Sequence, residues 1–270
     1  MKRGIESTMV SRKRLLTFRI IAGLLGLFFL YAGLSNARAP WMAVPAMSGD
    51  LHPELNRWFS TVAGASDLIV AGCFLALSWR PTQRLLFFFL VVGIVVAAGA
   101  NLPFVPGFAI ILALTVPALA TYPYWSELRN VTSWWQRPHV VMLAVSALAA
   151  VVVLVVAVVA VGRQIAGGDP AAQANWWADY AEHVSMPAIA AFLASTGQPG
   201  WRLLGGLAAA VWVYLGVVAT FVLTDDTGSW GTAGGLAGMG FGLILAAICL
   251  RGSDASRWAR SSHHPNPAGG

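Results

Sequence analysis

Charge is scarce in this sequence. Only 10% of its 270 residues are Asp, Glu, Lys or Arg, and 57% are hydrophobic, whereas a soluble domain carries roughly a quarter charged residues. A chain of this length cannot fold that much apolar surface away from water, so a soluble globular domain is excluded. Cysteine is scarcer still. Cys73 and Cys249 both sit inside apolar runs and no C-x-x-C is present, which excludes a thioredoxin-like motif and a Cys-rich metal site. Both thiols read as small buried hydrophobes. No G-x-x-x-x-G-K-[ST], G-x-S-x-G or H-E-x-x-H pattern occurs, so no self-contained nucleotide, serine-hydrolase or zincin centre is encoded. The five histidines are His52, His139, His183, His263 and His264. None lies in the middle of an apolar run, which leaves a membrane haem without facing axial ligands. No metal site is expected: Asp225 and Asp226 read as a solvated turn. His263 and His264 stand in a polar tail.

What the chain has in abundance is uncharged length. Apolar runs cover 20–34, 58–79 (interrupted only by Asp67), 85–100, 104–121, 140–161, 203–223 and 229–250. Most approach the ~20 residues that cross a hydrocarbon core. In lipid each backbone group must bond within its own segment, and the runs lack barrel alternation, so the spans are helices. Most of the twelve Trp flank these runs, Trp212 excepted, as an interfacial belt does. The 17 Lys and Arg outnumber 11 acids, but the cations lie between apolar runs and form no nucleic-acid patch.

The segment 184–201 is uncharged but rich in Pro and Gly, and follows Asp179, Glu182 and His183. Leaving it out gives seven spans, with ten cations inside and seven outside. Counting it as a span gives eight, with fourteen inside and only Arg38, Arg57 and Arg163 outside. The positive-inside rule favours eight. An internal repeat agrees: FLALSWRPTQRLL at 74–86 and FLASTGQPGWRLL at 192–204 share seven of thirteen positions at an offset of 118, including Pro81/Pro199 and Arg84/Arg202. The expected fold is therefore all-α and polytopic, with eight transmembrane helices as two four-helix halves in parallel repeat. Its parts are a basic cytoplasmic segment at 1–19, a first half at 20–125, a cytoplasmic linker at 126–138, a second half at 139–251, and a disordered cytoplasmic tail at 252–270. Asn130-Val131-Thr132 matches a glycosylation sequon, but on the cytoplasmic side the pattern has no meaning.

Asp67 is the one ionisable residue well inside a long apolar run. A carboxylate at mid-membrane costs on the order of 3 kcal/mol, so such residues face the bundle interior and find a partner. Ser66, Tyr31, Ser35, Asn36 and Asn101 are the candidate partners. They would form a polar pocket open to the outside, on a face where Ala63, Gly64 and Ala71 allow close helix approach. Glu182 and His183 begin the sixth span, about a turn from the position the repeat pairs with Asp67. They are either an equivalent second-half site or solvated residues at a helix mouth.

Four stretches carry a resemblance: GLLGLFFLYAGLSN at 23–36, VPAM at 44–47, VAGASDLIVAGCFLAL at 62–77 with its R-P-T-Q-R turn, and AAGANLP at 97–103. Over about 100 residues the first half resembles the DoxX/DoxD-like family of small four-helix bacterial membrane proteins. Family members often carry Glu where this chain has Asp67. The second half looks like a diverged copy, with Ser185 and Ala219 at the positions aligned to Asp67 and Asn101. The resemblance implies a multi-pass protein of the bacterial plasma membrane. It also makes the run at 20–34 a retained helix, although Ala37-Arg38-Ala39 matches a signal-peptide cleavage pattern. Its implied function is a non-catalytic subunit or anchor of a membrane-associated redox complex, with a membrane or peripheral redox protein as partner and quinone as the cofactor to test. The alternative is a small-molecule or proton-coupled transporter that titrates Asp67.

Overall fold

The computed structural model describes residues 11–42, 53–103, 108–125, 128 and 139–261. The VPAM motif, His52, most of the linker and the histidines of the tail lie outside them. Among the described residues all regular structure is helical: α1 (Arg12–Ala37), α2 (Pro53–Trp79), α3 (Arg84–Asn101), α4 (Phe108–Ala120), α5 (Val140–Ala166), a short α6 (Pro170–Gln173), α7 (Trp176–Ala194), α8 (Trp201–Phe221) and α9 (Gly231–Ser261). Six are long and apolar enough to cross a membrane: α1, α2, α3, α5, α8 and the Gly231–Arg251 part of α9. The central parts of α1 and α5 present apolar outward faces, with Leu24, Leu27, Leu148, Val151 and Val155 all exposed. Such a surface suits hydrocarbon and not water, and the chain is a multi-pass membrane protein.

The last helix departs from expectation. Instead of giving way to tail at residue 252, α9 continues to Ser261. The apolar run ends at Leu250, but Ala255, Arg257 and Arg260 are all tolerant of helix, so the helix outlasts the apolar stretch.

The helices pair tightly where small residues meet. A Cβ added to Gly216 of α8 would stand 2.6 Å from the Gly235 carbonyl and the Met239 nitrogen of α9. A Cβ on Gly64 of α2 would stand 2.7 Å from the Gly33 carbonyl of α1. Backbones this close form the small-residue contact typical of helices in lipid. α1 packs along α2, α5 along α7, and α8 along α9, while α2 meets α7 and α8 and α3 meets α7.

The helix most enclosed by protein is one that carries ionisable groups. α7 contains Asp179, Glu182 and His183, and thirteen of its nineteen residues are buried. It starts eight residues before the uncharged run at 184–201 and ends well short of Trp201. A helix wrapped in other helices has no need of a hydrophobic exterior, which is why hydropathy alone misplaces its ends. Its N-terminus is held by its neighbours in sequence. Asp169 accepts from the Ala172 amide at 2.7 Å and from Trp177 Nε1 at 3.1 Å, and Arg163 stacks over the Trp177 ring at 4.6 Å.

Contacts gather at the two ends of the bundle. At one end Arg14 donates to the carbonyls of Ala120, Thr121 and Tyr122, Tyr122 donates to the Pro81 carbonyl at 2.9 Å, and the His139 amide donates to the Ser195 carbonyl at 2.8 Å. The turn after α2 and the turn after α7 both lie here, since Gly200 approaches Leu86 and Gln83. At the other end the Tyr214 hydroxyl donates to the Ala37 carbonyl, Arg57 donates to the Pro40 carbonyl at 2.6 Å, and Phe59 meets the rings of Trp176, Trp177 and Tyr180.

Candidate functional site

A cavity of about 300 Å³ opens between α1, α2, α3, α4 and α7. Its walls are largely apolar, with Phe29, Phe74, Phe89 and Met186 among them, and its polar groups are concentrated in Asn36, Ser66, Asp67, Asp179, Glu182 and His183.

Helical spacing explains which α1 residues reach it. Phe28, Ala32 and Asn36 fall four residues apart and so share a face; all three line the cavity. Tyr31 lies a third of a turn off that face and is 72% exposed. It is not part of the cavity, contrary to the expectation from sequence. Ser35 is buried but also stands off the lining face. Asn101 sits behind the wall at the end of α3, buried, and reaches the cavity through a partner: its Nδ2 donates to Glu182 Oε2.

Glu182 and His183 do not form a separate site in the second half. The same cavity that takes Asp67 takes both of them. The cause is the packing of α7 against α2 and α3, which turns the Glu182 and His183 face into the first half. The residue that the repeat aligns with Asp67, Ser185, donates back to the Ala181 carbonyl at 2.7 Å within its own helix.

The polar groups form a chain. Ser66 Oγ donates to the Ala63 carbonyl at 3.1 Å and meets His183 Nδ1. His183 Nε2 lies 3.3 Å from Asp179 Oδ1, one helical turn earlier. With the hydroxyl proton directed to Ala63, Ser66 Oγ accepts from His183 Nδ1–H, and Nε2, when it carries a proton, donates to Asp179 Oδ1. Asp67 borders the cavity but makes no hydrogen bond among the described residues. The lining thus holds three carboxyl groups and one imidazole, with no Lys or Arg.

Asp179 and Thr115 are polar residues of the cavity lining that sequence reasoning passed over, and Asp179 is the ionisable one. Its side chain is 46% exposed, against 14% for His183, so it stands at the mouth of the polar end. The available signal was spacing: Asp179, Glu182 and His183 occupy i, i+3 and i+4 and therefore share one helix face.

Comparison with family models, with curated proteins and with solved structures finds no match for this chain. The function must be argued from the cavity.

Proposed function

We propose that the chain is a DoxX-like membrane subunit that holds the head group of a quinone in this cavity and serves a redox partner protein. The observation that carries the reading is the division of the cavity. Its apolar part is walled by Phe29, Phe74 and Phe89, and its polar part presents Ser66, Asp67, Glu182 and His183. A quinone ring needs flat apolar surface for its faces and hydrogen-bonding groups for its two oxygens. Its reduction takes up two protons with two electrons. The carboxyl–imidazole chain can exchange the protons, and the redox partner supplies the electrons. A volume near 300 Å³ lies at the lower end of small-molecule sites, which fits a head group whose tail lies in lipid.

The same proposal includes eight spans in two parallel four-helix halves, with both termini cytoplasmic in the bacterial plasma membrane. Two features support it. The contacts of α7 run from the Phe59 end of the bundle to the Gly200 end, and its nineteen residues extend about 28 Å. Two of the packing pairs also correspond: α1 with α2 parallels α5 with α7, and α2 with α8 parallels α7 with α3, although α8 packs closely on α9 and α3 only lightly on α4.

The test is to purify the protein in mild detergent, extract its lipids, and measure binding of a short-chain benzoquinone by equilibrium dialysis. Quinone should co-purify, and Glu182→Gln should weaken binding at least about tenfold, the loss expected when a buried polar partner is removed. A protein without quinone or affinity for it refutes the reading. One observation favours a second reading, a proton-coupled carrier: the Asp67 carboxyl group faces the cavity without a hydrogen-bond partner among the described residues. Substrate flux into proteoliposomes that disappears in Asp67→Asn would favour the carrier.

A further inference from the structure

We propose that the polar end of the cavity is a divalent transition-metal site, with Asp179, Glu182 and His183 Nε2 as protein ligands and Asp67 facing the ion from α2. This goes beyond the quinone reading and does not rest on it, but the two share Glu182, His183 and Asp67, so an ion and a quinone head group compete for the carboxyl end.

Geometry is the first argument. One ligand atom from each of Asp179, Glu182 and His183 lies within 4.8 Å of the others. The His183 Nε2 to Asp179 Oδ1 separation is 3.3 Å. Two neighbouring ligands at right angles around an ion, each about 2.1 Å from it, stand about 3 Å apart. The D-x-x-E-H spacing puts the three on one face of α7, so the helix sets their separation without help from a loop.

The second argument comes from the opposite helix. Asp67 is a carboxyl group deep in α2 that borders the cavity with no hydrogen-bond partner among the described residues. Three carboxyl groups stand against a single imidazole in a cavity whose lining has no Lys or Arg, so the cavity holds oxygen donors with no cation to meet them. A divalent cation would meet those donors, with Asp67 on the opposite wall of the same cavity.

The third argument is the support behind the ligands. Metal-ligating histidines hold their second ring nitrogen in a hydrogen bond that fixes the tautomer, and ligating carboxylates are themselves hydrogen-bonded. Here Ser66 Oγ meets His183 Nδ1 while donating to the Ala63 carbonyl, which points Nε2 toward Asp179. Asn101 Nδ2 holds the Glu182 carboxylate. The half-exposed Asp179 marks the way in for the ion. A set of carboxylates with one imidazole and no thiolate selects Mn²⁺, Fe²⁺ or Zn²⁺, and the imidazole disfavours Mg²⁺ and Ca²⁺.

The experiment uses the full chain, purified in detergent, stripped with a chelator and free of added quinone. Mn²⁺ is titrated in and free ion is followed by electron paramagnetic resonance, with Zn²⁺ as competitor and Mg²⁺ as control. One Mn²⁺ should bind per chain, be displaced by Zn²⁺, and be unaffected by Mg²⁺. Glu182→Gln should weaken binding more than tenfold. Ser66→Ala, which touches no ion, should weaken it by about tenfold by releasing the imidazole. His263→Ala/His264→Ala should change nothing; if it removes the bound ion, the tail is the site and the proposal is overturned. Absence of stoichiometric binding by the folded wild type overturns it as well, whatever the variants do. Quinone that binds to the stripped protein while Mn²⁺ does not would separate failure here from failure of the quinone reading.

Discussion

Two glycines on one helix make a controlled test of the packing. Gly206 and Gly216 both belong to α8, so alanine at either adds the same methyl group to the same helix. Beside Gly206 nothing lies within 4 Å of the new Cβ. Beside Gly216 the Cβ meets two backbone atoms of α9 at 2.6 Å, about 0.8 Å inside ordinary contact at 3.4 Å. Backbone cannot rotate away as a side-chain tip can, so α8 and α9 must separate along much of their shared length. Gly206→Ala should be neutral or stabilising by up to about 1 kcal/mol, the usual helix-propensity gain. Gly216→Ala should destabilise by about 1–3 kcal/mol, the cost of overpacking a tight interface. Reversible unfolding of both variants in mixed detergent micelles, followed by circular dichroism, reads the difference. Equal stability of the two would mean that α8 and α9 do not touch where they are placed here, and the small-residue argument would fail with it.

Arg14→Ala removes donors from three carbonyls at the end of α4, and because Arg14 is exposed the loss should be about 1 kcal/mol, with faster proteolysis near Tyr124 as the readout. Asn101→Leu strands the buried Glu182 carboxyl group and should cost about 1–3 kcal/mol of stability, whereas Asn101→Leu combined with Glu182→Met should recover most of it. A double mutant as unstable as the single would show that the two side chains are not paired. Reporter fusions after Asp226 and at Gly270 should report opposite sides of the membrane, external and cytoplasmic; a C-terminal fusion active outside restores seven spans. Asp67→Asn should leave the folded yield unchanged; loss of substrate flux into proteoliposomes in this variant favours the carrier, whereas unchanged flux with a lower yield of Asp67→Leu makes the role of Asp67 structural.

Exposure to lipid is a property of composition, so the helices that meet lipid were legible as apolar runs. The runs at 20–34, 140–161 and 229–250 correspond to α1, α5 and the first part of α9. What composition could not convey was a helix shielded by its neighbours. The charges of α7 lie next to partners 81 and 117 residues away, Asn101 and Ser66, and no local pattern reports a contact at that range. The cavity was legible in part for a related reason. Asp67 stood out because it broke an apolar run, and Ser66 came with it. Tyr31 was misassigned because α1 is apolar almost all round, which leaves no periodicity from which to read its inner face. Asp179, Glu182 and His183 suffered from the repeat itself. Aligning positions along the chain treats Glu182 and His183 as a counterpart of Asp67, while packing makes them its neighbours.

The burial of α7 bears on how the protein is made. A helix with three ionisable groups in its first two turns partitions poorly into lipid by itself. By the time it is synthesised, Ser66 and Asn101 are already present on α2 and α3, as the nascent chain emerges N-terminus first. The first half then acts as a template that receives α7 with its polar groups matched. Truncation before residue 101 would deprive the later helix of its docking face, and quality control in the cell would meet a second half whose most enclosed helix has nowhere to go.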